Sequence, residues 1–306
     1  MKHKSSLRFG LVFGYYILLF LFTTFVLLYE FVIPHGGIII EDPVITITDP
    51  IDELIYPGAV PTVLQSGTVI GSYTSDSIII TVYQIRAYNS NVFVADVVAN
   101  DAHSILSALA FNTFGGTNVT QTVSTMAQEH NAIFAINSDY ASHYSSGYVI
   151  RNGEILRSSA SYRDAIVLNV DGTLSSITEY DVHINDVLDD GAWQLWSFGP
   201  VLIKNGQSVA SVNDGLQRSA VDNPRSAIGS VGANHFMFVT VDGRTTASMG
   251  VDIEELADIM QSLGCTEAYN FDGGGSATMW FDNEVINHPS GGDERAVGDC
   301  VYILKS

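Results

Sequence analysis

The segment with the clearest chemical potential is Glu267–Phe281, EAYNFDGGGSATMWF. An apolar run ends at Asn270 and Phe271, and Asp272 stands at its mouth. Gly273, Gly274 and Gly275 carry no side chains, so a ligand can approach the backbone closely. Successive amides in such a turn can form an anion-binding concavity, with the Ser276 hydroxyl beside them. A dinucleotide fingerprint would continue into a helix and a P-loop would supply a lysine. Here Ser276 to Phe281 reads as a strand, and no lysine follows. A plain glycine-rich hairpin turn is the competing reading; Asp272, at a strand end beside a loop, brings a ligand-facing role level with it.

Two other strand boundaries carry arginine: Asn223-Pro224-Arg225-Ser226 at the start of one run and Val241-Asp242-Gly243-Arg244 at the end of the next. A guanidinium is a planar donor fork that can grip a phosphate at two points, although each could equally pair with a surface acid. Ala132–Ile136 is an apolar strand that delivers Asn137, Ser138 and Asp139 at its end, with His143 close behind as a metal ligand, a general base or a solvent-facing side chain. Trp193, Trp196 and Phe198 could stack on sugar rings, but beside Gly199-Pro200 they read more readily as core. No GxSxG, HExxH or EF-hand pattern occurs.

Elements of two kinds must position these groups. Ser77–Tyr88, Asn91–Val98, Ala165–Val170 and His235–Val241 read as strands. Asn152-Gly153, Asp171-Gly172 and Asn205-Gly206 read as hairpin turns, since these pairs tolerate positive φ. Ile253, Leu256, Ala257, Met260 and Leu263 fall on one helical face. Asp252 and Glu255 form a capping-box pattern and Gly264 a stop, so these acids belong to a helix start rather than to catalysis. A weaker helix runs from Thr120 to His130. The pattern predicts an α+β fold: a single mixed-sheet domain, rich in hairpins, with a few helices and one transmembrane helix before it.

Lys and Arg number 13 against 33 Asp and Glu, a net charge of −20 in 306 residues. That balance excludes nucleic-acid binding by phosphate neutralisation and docking through a polybasic patch. With 46% apolar and 15% charged residues the chain is not disordered. An anionic substrate would need a local cationic pocket built from the few cations beyond Arg8, which are Arg86, Arg151, Arg157, Arg163, Lys204, Arg218, Arg225, Arg244, Arg295 and Lys305.

Phe9–Tyr29 is a run of 21 residues without a charge, and about 20 suffice to cross a bilayer. Lys2, Lys4 and Arg8 precede it, while Glu30, Glu41 and Asp42 follow, which predicts a single-pass signal anchor with a cytoplasmic N-terminus and an extracytoplasmic remainder. A cleaved signal peptide competes, but Tyr-Glu-Phe-Val-Ile-Pro offers no small-x-small site. Residues 1–33 are thus the cytoplasmic tip and anchor. Residues 34–65, holding five of the eight prolines, read as an extended stalk, and 66–306 as the functional domain. Cys265 and Cys300 would then lie where a disulfide can form, although two buried thiols fit as well.

Taken in order, INSDY (136–140), GYVIRNGEI (147–155), FGPVLIKNG (198–206), NPRSAIG (223–229), VTVDGR (239–244), NFDGGGS (270–276) and DERAVGD (293–299) resemble the phosphodiester glycosidase family across roughly 131–302. Membrane-anchored bacterial members are commonly described as exopolysaccharide biosynthesis proteins. The resemblance implies hydrolysis of the bond between a sugar anomeric carbon and a phosphodiester oxygen, with a carbohydrate phosphodiester as partner. By matching position it implies Asp272, Asp242 and Asp139 as the acidic catalytic set. Asn137, Arg225, Arg244, Gly273, Gly274, Gly275, Ser276 and Arg295 would be the substrate- and phosphate-binding set. No cofactor is implied with certainty, and Ca2+ or Mg2+ on the acidic loops stays open. Two rivals remain: a non-catalytic binding or assembly factor for anionic surface polysaccharide, and a metal-dependent phosphodiesterase cutting the phosphorus–oxygen bond.

Overall fold

A computed structural model describes residues 2–43, 57–213 and 219–305. Residues 44–56 of the expected stalk and the candidate cation Arg218 lie outside the described residues.

An eight-stranded antiparallel sheet forms the middle of the molecule, in the spatial order 207–208, 201–204, 267–271, 225–232, 235–241, 90–99, 78–87, 68–74. Its strands alternate with a period of two, as the pleat requires. Ile78, Ile80, Val82, Phe93, Ala95, Val97, Phe236 and Phe238 point to one face, where they meet the second sheet in the main core. Tyr83, Ile85, Val92, Val94, Met237, Val239 and Val241 point to the other, against the helix Ile253–Ser262. Burial on both faces is why these strands read as continuous apolar runs in the sequence.

The second sheet has the order 284–285, 279–281, 132–137, 299–304, 106–109, and a smaller one the order 174–178, 164–169, 192–196, 149–151, 154–157. The Asn152-Gly153 and Asn205-Gly206 turns close hairpins with positive φ at all four residues, and Gly172 does the same in the third. The helix Ile253–Ser262 begins with a complete capping box, Asp252 accepting from the Glu255 amide at 2.8 Å while the Glu255 carboxylate accepts from the Asp252 amide. The Thr120–His130 segment forms a shorter helix, Val123–Glu129. The α+β class read from the sequence holds.

An N-terminal helix spans Lys2–Phe31, and Val12–Phe31 is long and apolar enough to cross a membrane. The stretch expected to be a stalk departs from that reading at its described ends. Ile38–Ile39 pair with Thr113–Phe114, and Leu64 is buried in the helix-side core. Branched apolar side chains favour strand pairing and burial over a solvated extended chain, a preference that counting prolines overlooks.

Arg151 joins two of these sheets. It lies at the end of strand Val149–Arg151, is 2% exposed, and donates to Asp139 at 2.5 Å and to Asp299 at 2.8 Å. Its Nη1 also donates to the Leu195 carbonyl at 2.5 Å. Burial pushes the Asp299 carboxyl up, and the Arg151 guanidinium pulls against it. Removing the cation would leave two buried carboxylates uncompensated, which typically costs about 3–5 kcal/mol. Arg151→Met should therefore lose about that much stability in urea unfolding at pH 7. The deficit should shrink as the pH falls, because protonating the stranded carboxylates removes the penalty. A loss independent of pH would contradict this account.

Candidate active site

Antiparallel register assembles the site. Arg225 opens its strand opposite Val241, the last residue of the neighbouring strand, and Ser226 lies opposite Phe271, the last residue on the other side. The segments beginning Asp242-Gly243-Arg244 and Asp272-Gly273-Gly274-Gly275 therefore leave the sheet at one edge, flanking Arg225. There they line a cleft of about 340 Å3 whose wall includes Asp272, the three glycines, Arg225, Arg244 and Arg295. Tyr140, Tyr144, Arg163, Phe198, Asn223 and Asn270 complete much of the remainder.

Asp272 is anchored through its backbone: its amide donates to the Ser138 carbonyl at 3.0 Å, and its carbonyl accepts from Asn137 Nδ2 at 2.6 Å. Asn137 Oδ1 accepts from Ser226 Oγ at 2.7 Å and from the Thr278 amide at 3.1 Å. A fully buried carboxamide thus ties the second sheet to the large one directly beneath the aspartate. Burial pushes the Asp272 carboxyl above the ordinary carboxylate range; the Gly273 amide and the Arg295 guanidinium pull it back.

The glycines work differently from the sequence expectation. The Gly274 amide donates to the Pro224 carbonyl at 2.8 Å, so it is not bare. What the turn needs is room. A Cβ on Gly273 would stand 2.5 Å from the Pro224 carbonyl oxygen, and one on Gly275 would stand 2.6 Å from Arg295 Cζ. Gly274 has φ +61°, and a Cβ there would meet Arg244 Nη2 at 2.9 Å. Two guanidinium groups thus lie directly over the turn.

The arginines are held in different ways. Arg244, in the left-handed region at φ 63°, donates from Nε and Nη2 to Asn223 Oδ1 at 3.2 and 3.0 Å. Arg225 is nearly buried, and its fork donates to the carbonyls of Val251 at 3.0 Å and Val221 at 3.1 Å. Burial, together with the like charge of Arg244, brings its guanidinium down to about 10, still cationic at neutral pH. Arg225 therefore contributes charge and scaffolding more than a free fork. Asn223 and Pro224 bridge Arg244 to the Gly274 amide, which explains the compact NPR motif.

Four expected site residues stand elsewhere. Asp139 is fully buried, bound to Arg151, and accepts from the Ser197 amide at 2.8 Å and the Ala141 amide at 3.3 Å. Asp242 accepts from the His288 amide at 2.8 Å and its Nδ1 at 2.9 Å, and from Asn287 Nδ2 at 3.4 Å. Neither carboxylate lines the cleft; both secure loops around it, because strand-end acids facing inward find buried amide donors first. Ser276 is buried in the turn, and Asn137 lies below Asp272 rather than beside the cleft.

Among the aromatic residues, Trp193 and Trp196 are core, whereas Phe198 faces the cleft. His143 is exposed and stacks on Tyr140, with ring centroids 4.4 Å apart. Cys265 and Cys300 are free buried thiols, of the two states left open. Among the described residues, no three His, Cys, Asp or Glu side chains gather to hold a cation.

Sequence reasoning did not select Tyr140, Tyr144, Arg163, Asn223 or Asn270 for the site. Asn223 and Asn270 sat inside the quoted motifs, and the scarcity of cations could have singled out Arg163. Tyr144 left no signal in spacing or composition.

The phosphodiester glycosidase profile matches residues 130–304. Protein YomE of Bacillus subtilis (strain 168), an uncharacterized protein derived from the SPbeta prophage, is 32% identical over 199 residues; the match covers 62% of this chain and 30% of that protein's length. The catalytic domain of zebrafish N-acetylglucosamine-1-phosphodiester alpha-N-acetylglucosaminidase, solved in a form auto-inhibited by its pro-peptide, superposes with a TM-score of 0.59 at 20% identity, covering 81% of this chain and 87% of that one. A hypothetical protein from Synechocystis superposes with a TM-score of 0.58 at 15% identity, covering 75% and 62%. At these identities the two structures speak to the fold. The profile spans more than half of the sequence and contains every motif that builds the cleft wall around Asp272, so the chain belongs to the phosphodiester glycosidase family.

Proposed function

We propose that the protein is a hydrolase that cleaves the glycosidic bond of sugar-1-phosphodiesters, releasing free sugar and a phosphate monoester. The observation that carries this reading is the cleft's ratio of charges: among the described lining residues Asp272 is the one carboxylate, set among four arginines. Glycosidases ordinarily pair two carboxylates, because a departing sugar hydroxyl needs a proton donor. A phosphate monoester, with a second pKa near 6, departs without one. Guanidinium groups can then take over the role of the missing acid by holding the departing oxygens.

In the reaction, water or Asp272 itself attacks the anomeric carbon as the C1–O bond breaks and its electron pair passes to the phosphate oxygen. As a base, Asp272 accepts the water proton; as a nucleophile, it forms a glycosyl ester that water later opens. Its raised pKa makes it the stronger base. Arg244 and Arg295 lie over the glycine turn where the phosphate would sit, and Arg225 adds charge from behind. Asp139, Asp242 and Asn137 position these groups. Oxygen from labelled water should appear on the sugar; label in the phosphate would convert the reading to phosphorus–oxygen cleavage.

We further propose that residues 1–33 anchor the protein in the cell membrane with the hydrolase outside, and that its work is on exopolysaccharide or cell-envelope glycans. The supports are the apolar span Val12–Phe31 and the basic residues that precede it. The full chain should remain with the membrane fraction through alkaline carbonate washing. In intact cells, added protease should degrade the domain; protection from it would reverse the orientation.

Asp272→Asn should lower sugar release by about 10²–10⁴-fold. It should also raise the melting temperature at neutral pH, because a carboxyl whose folded pKa is raised destabilises the fold once ionised. Wild-type turnover by this variant would remove Asp272 from the mechanism.

The acid limb of kcat/KM should lie above the ordinary carboxylate range. Arg295→Gln removes a charge that pulls Asp272 down, so that limb should move to higher pH. A limb unmoved or shifted to lower pH would contradict the contact.

A further inference from the structure

We propose that the cleft wall formed by Arg163, Tyr144 and Phe198 is a second anion subsite, and that the substrate carries a second phosphate on its leaving-group side. This rests on the phosphodiester glycosidase reading above and extends it to the class of substrate: a phosphate-linked glycan chain or a diphosphate ester, rather than an isolated diester.

The first argument is charge. A phosphodiester carries one negative charge, yet four guanidinium groups face one carboxylate in this cleft. In a chain of net charge −20, acids to neutralise an arginine are abundant. Arg225, Arg244 and Arg295 already surround the glycine turn, so Arg163 is in excess of what one phosphate uses.

The second is how Arg163 is built. Its guanidinium carbon lies 3.7 Å from the centroid of the Tyr144 ring, a close cation–π contact. Tyr144 in turn packs near Phe198, with ring centroids 6.4 Å apart. The Nη1 group is buried without a hydrogen-bond partner among the described residues. The backbone beneath is fixed: the Arg163 amide donates to Ser161 Oγ at 3.1 Å, and the Asp164 carbonyl accepts from the Tyr269 hydroxyl at 2.7 Å. A flat fork held on an aromatic face with unspent donors suits phosphate oxygens, and the cost of ordering the side chain has already been met by packing.

The third lies one residue away. Tyr162 is 92% exposed and Tyr180 55% exposed, and their rings pack against each other with centroids 4.6 Å apart. An exposed aromatic pair with no part in the core offers a face on which a sugar ring can stack. Such a face beside the residue that bears the subsite suits a repeating sugar phosphate better than a compact diphosphate.

A hexose phosphorylated at both its first and sixth carbons stands in for the leaving group of such a chain. Calorimetry with the detergent-solubilised full chain, at fixed ionic strength, should compare this bisphosphate with hexose 6-phosphate. The wild type should bind the bisphosphate about tenfold more tightly, the worth of one charge-assisted contact. In Arg163→Gln the ratio of the two affinities should fall toward one. An unchanged ratio overturns the subsite. Should the glutamine variant fail to fold, Arg163→Met removes the charge while keeping an apolar stem against Tyr144, and a ratio equal to the wild type's overturns the proposal in the same way. Inorganic diphosphate separates the two sources of the second phosphate: a gain over inorganic phosphate as large as that of the bisphosphate favours a diphosphate ester. Hydrolysis of a one-phosphate sugar diester judges the reaction independently. Wild-type protein that binds through Arg163 but cleaves no diester would sink the reaction and spare the subsite; cleavage with an unchanged ratio would sink the subsite alone.

Discussion

One buried cation holds the site's foundations together. Arg151 enters from the small sheet and meets Asp139 and Asp299, which flank the ends of two strands in the second sheet. Ser138, between Asn137 and Asp139, supplies the carbonyl that takes the Asp272 amide and a hydroxyl that donates to Asp299 at 3.1 Å. On the far side, Asp139 holds the Ser197 amide, and Ser197 Oγ donates to the buried Glu179. Glu179 is satisfied by the amides of Tyr148 at 2.9 Å and Ser161 at 2.6 Å. The polar network therefore runs from the loop bearing Arg163 to the loop bearing Asp272 with its inner members out of water, where hydrogen bonds are strongest and a missing partner costs most.

Above that foundation the cleft gathers four cations, one of which, Arg225, also braces the backbone around it. Arg86, Arg157 and Lys305 make surface or loop contacts to carbonyls or single side chains. Arg163, Arg225, Arg244 and Arg295 converge instead. An acidic surface repels anions at long range, so the local inversion of sign has to be steep, and it is achieved by placing guanidinium groups on glycines that leave no side chain between charge and ligand. Left-handed backbone at Tyr140 and Arg244 shows where geometry is imposed on the cleft against local preference.

The fold was largely legible because its signals are local. Asn-Gly and Asp-Gly pairs specify hairpins, and the Asp252–Glu255 box fixes a helix start. The long strands announce themselves through β-branched runs buried on two faces. Register is what delivers Arg225, Arg244 and Asp272 to one end of the strands; the likeness of NPRSAIG, VTVDGR and NFDGGGS to a family implied a shared pocket but not the pairing that builds it. The roles of Asp139 and Asp242 were not legible, because a strand-end carboxylate looks the same in sequence whether it meets a substrate or a buried amide. Arg163 and Tyr144 escaped for the opposite reason: they lie in separate loops, before strands 164–169 and 149–151, and only tertiary packing brings them to the cleft.

The two thiols carry a consequence for biogenesis. Cys265 belongs to the core on the helix side of the large sheet and Cys300 to the core on its other face. Burial pushes both well above their ordinary ionisation, so neither offers the thiolate that oxidants attack. Once folded, the chain thus keeps both thiols shielded in an oxidising or a reducing milieu alike. A cross-link between them would arise only by trapping a chain that had not yet closed around its central sheet.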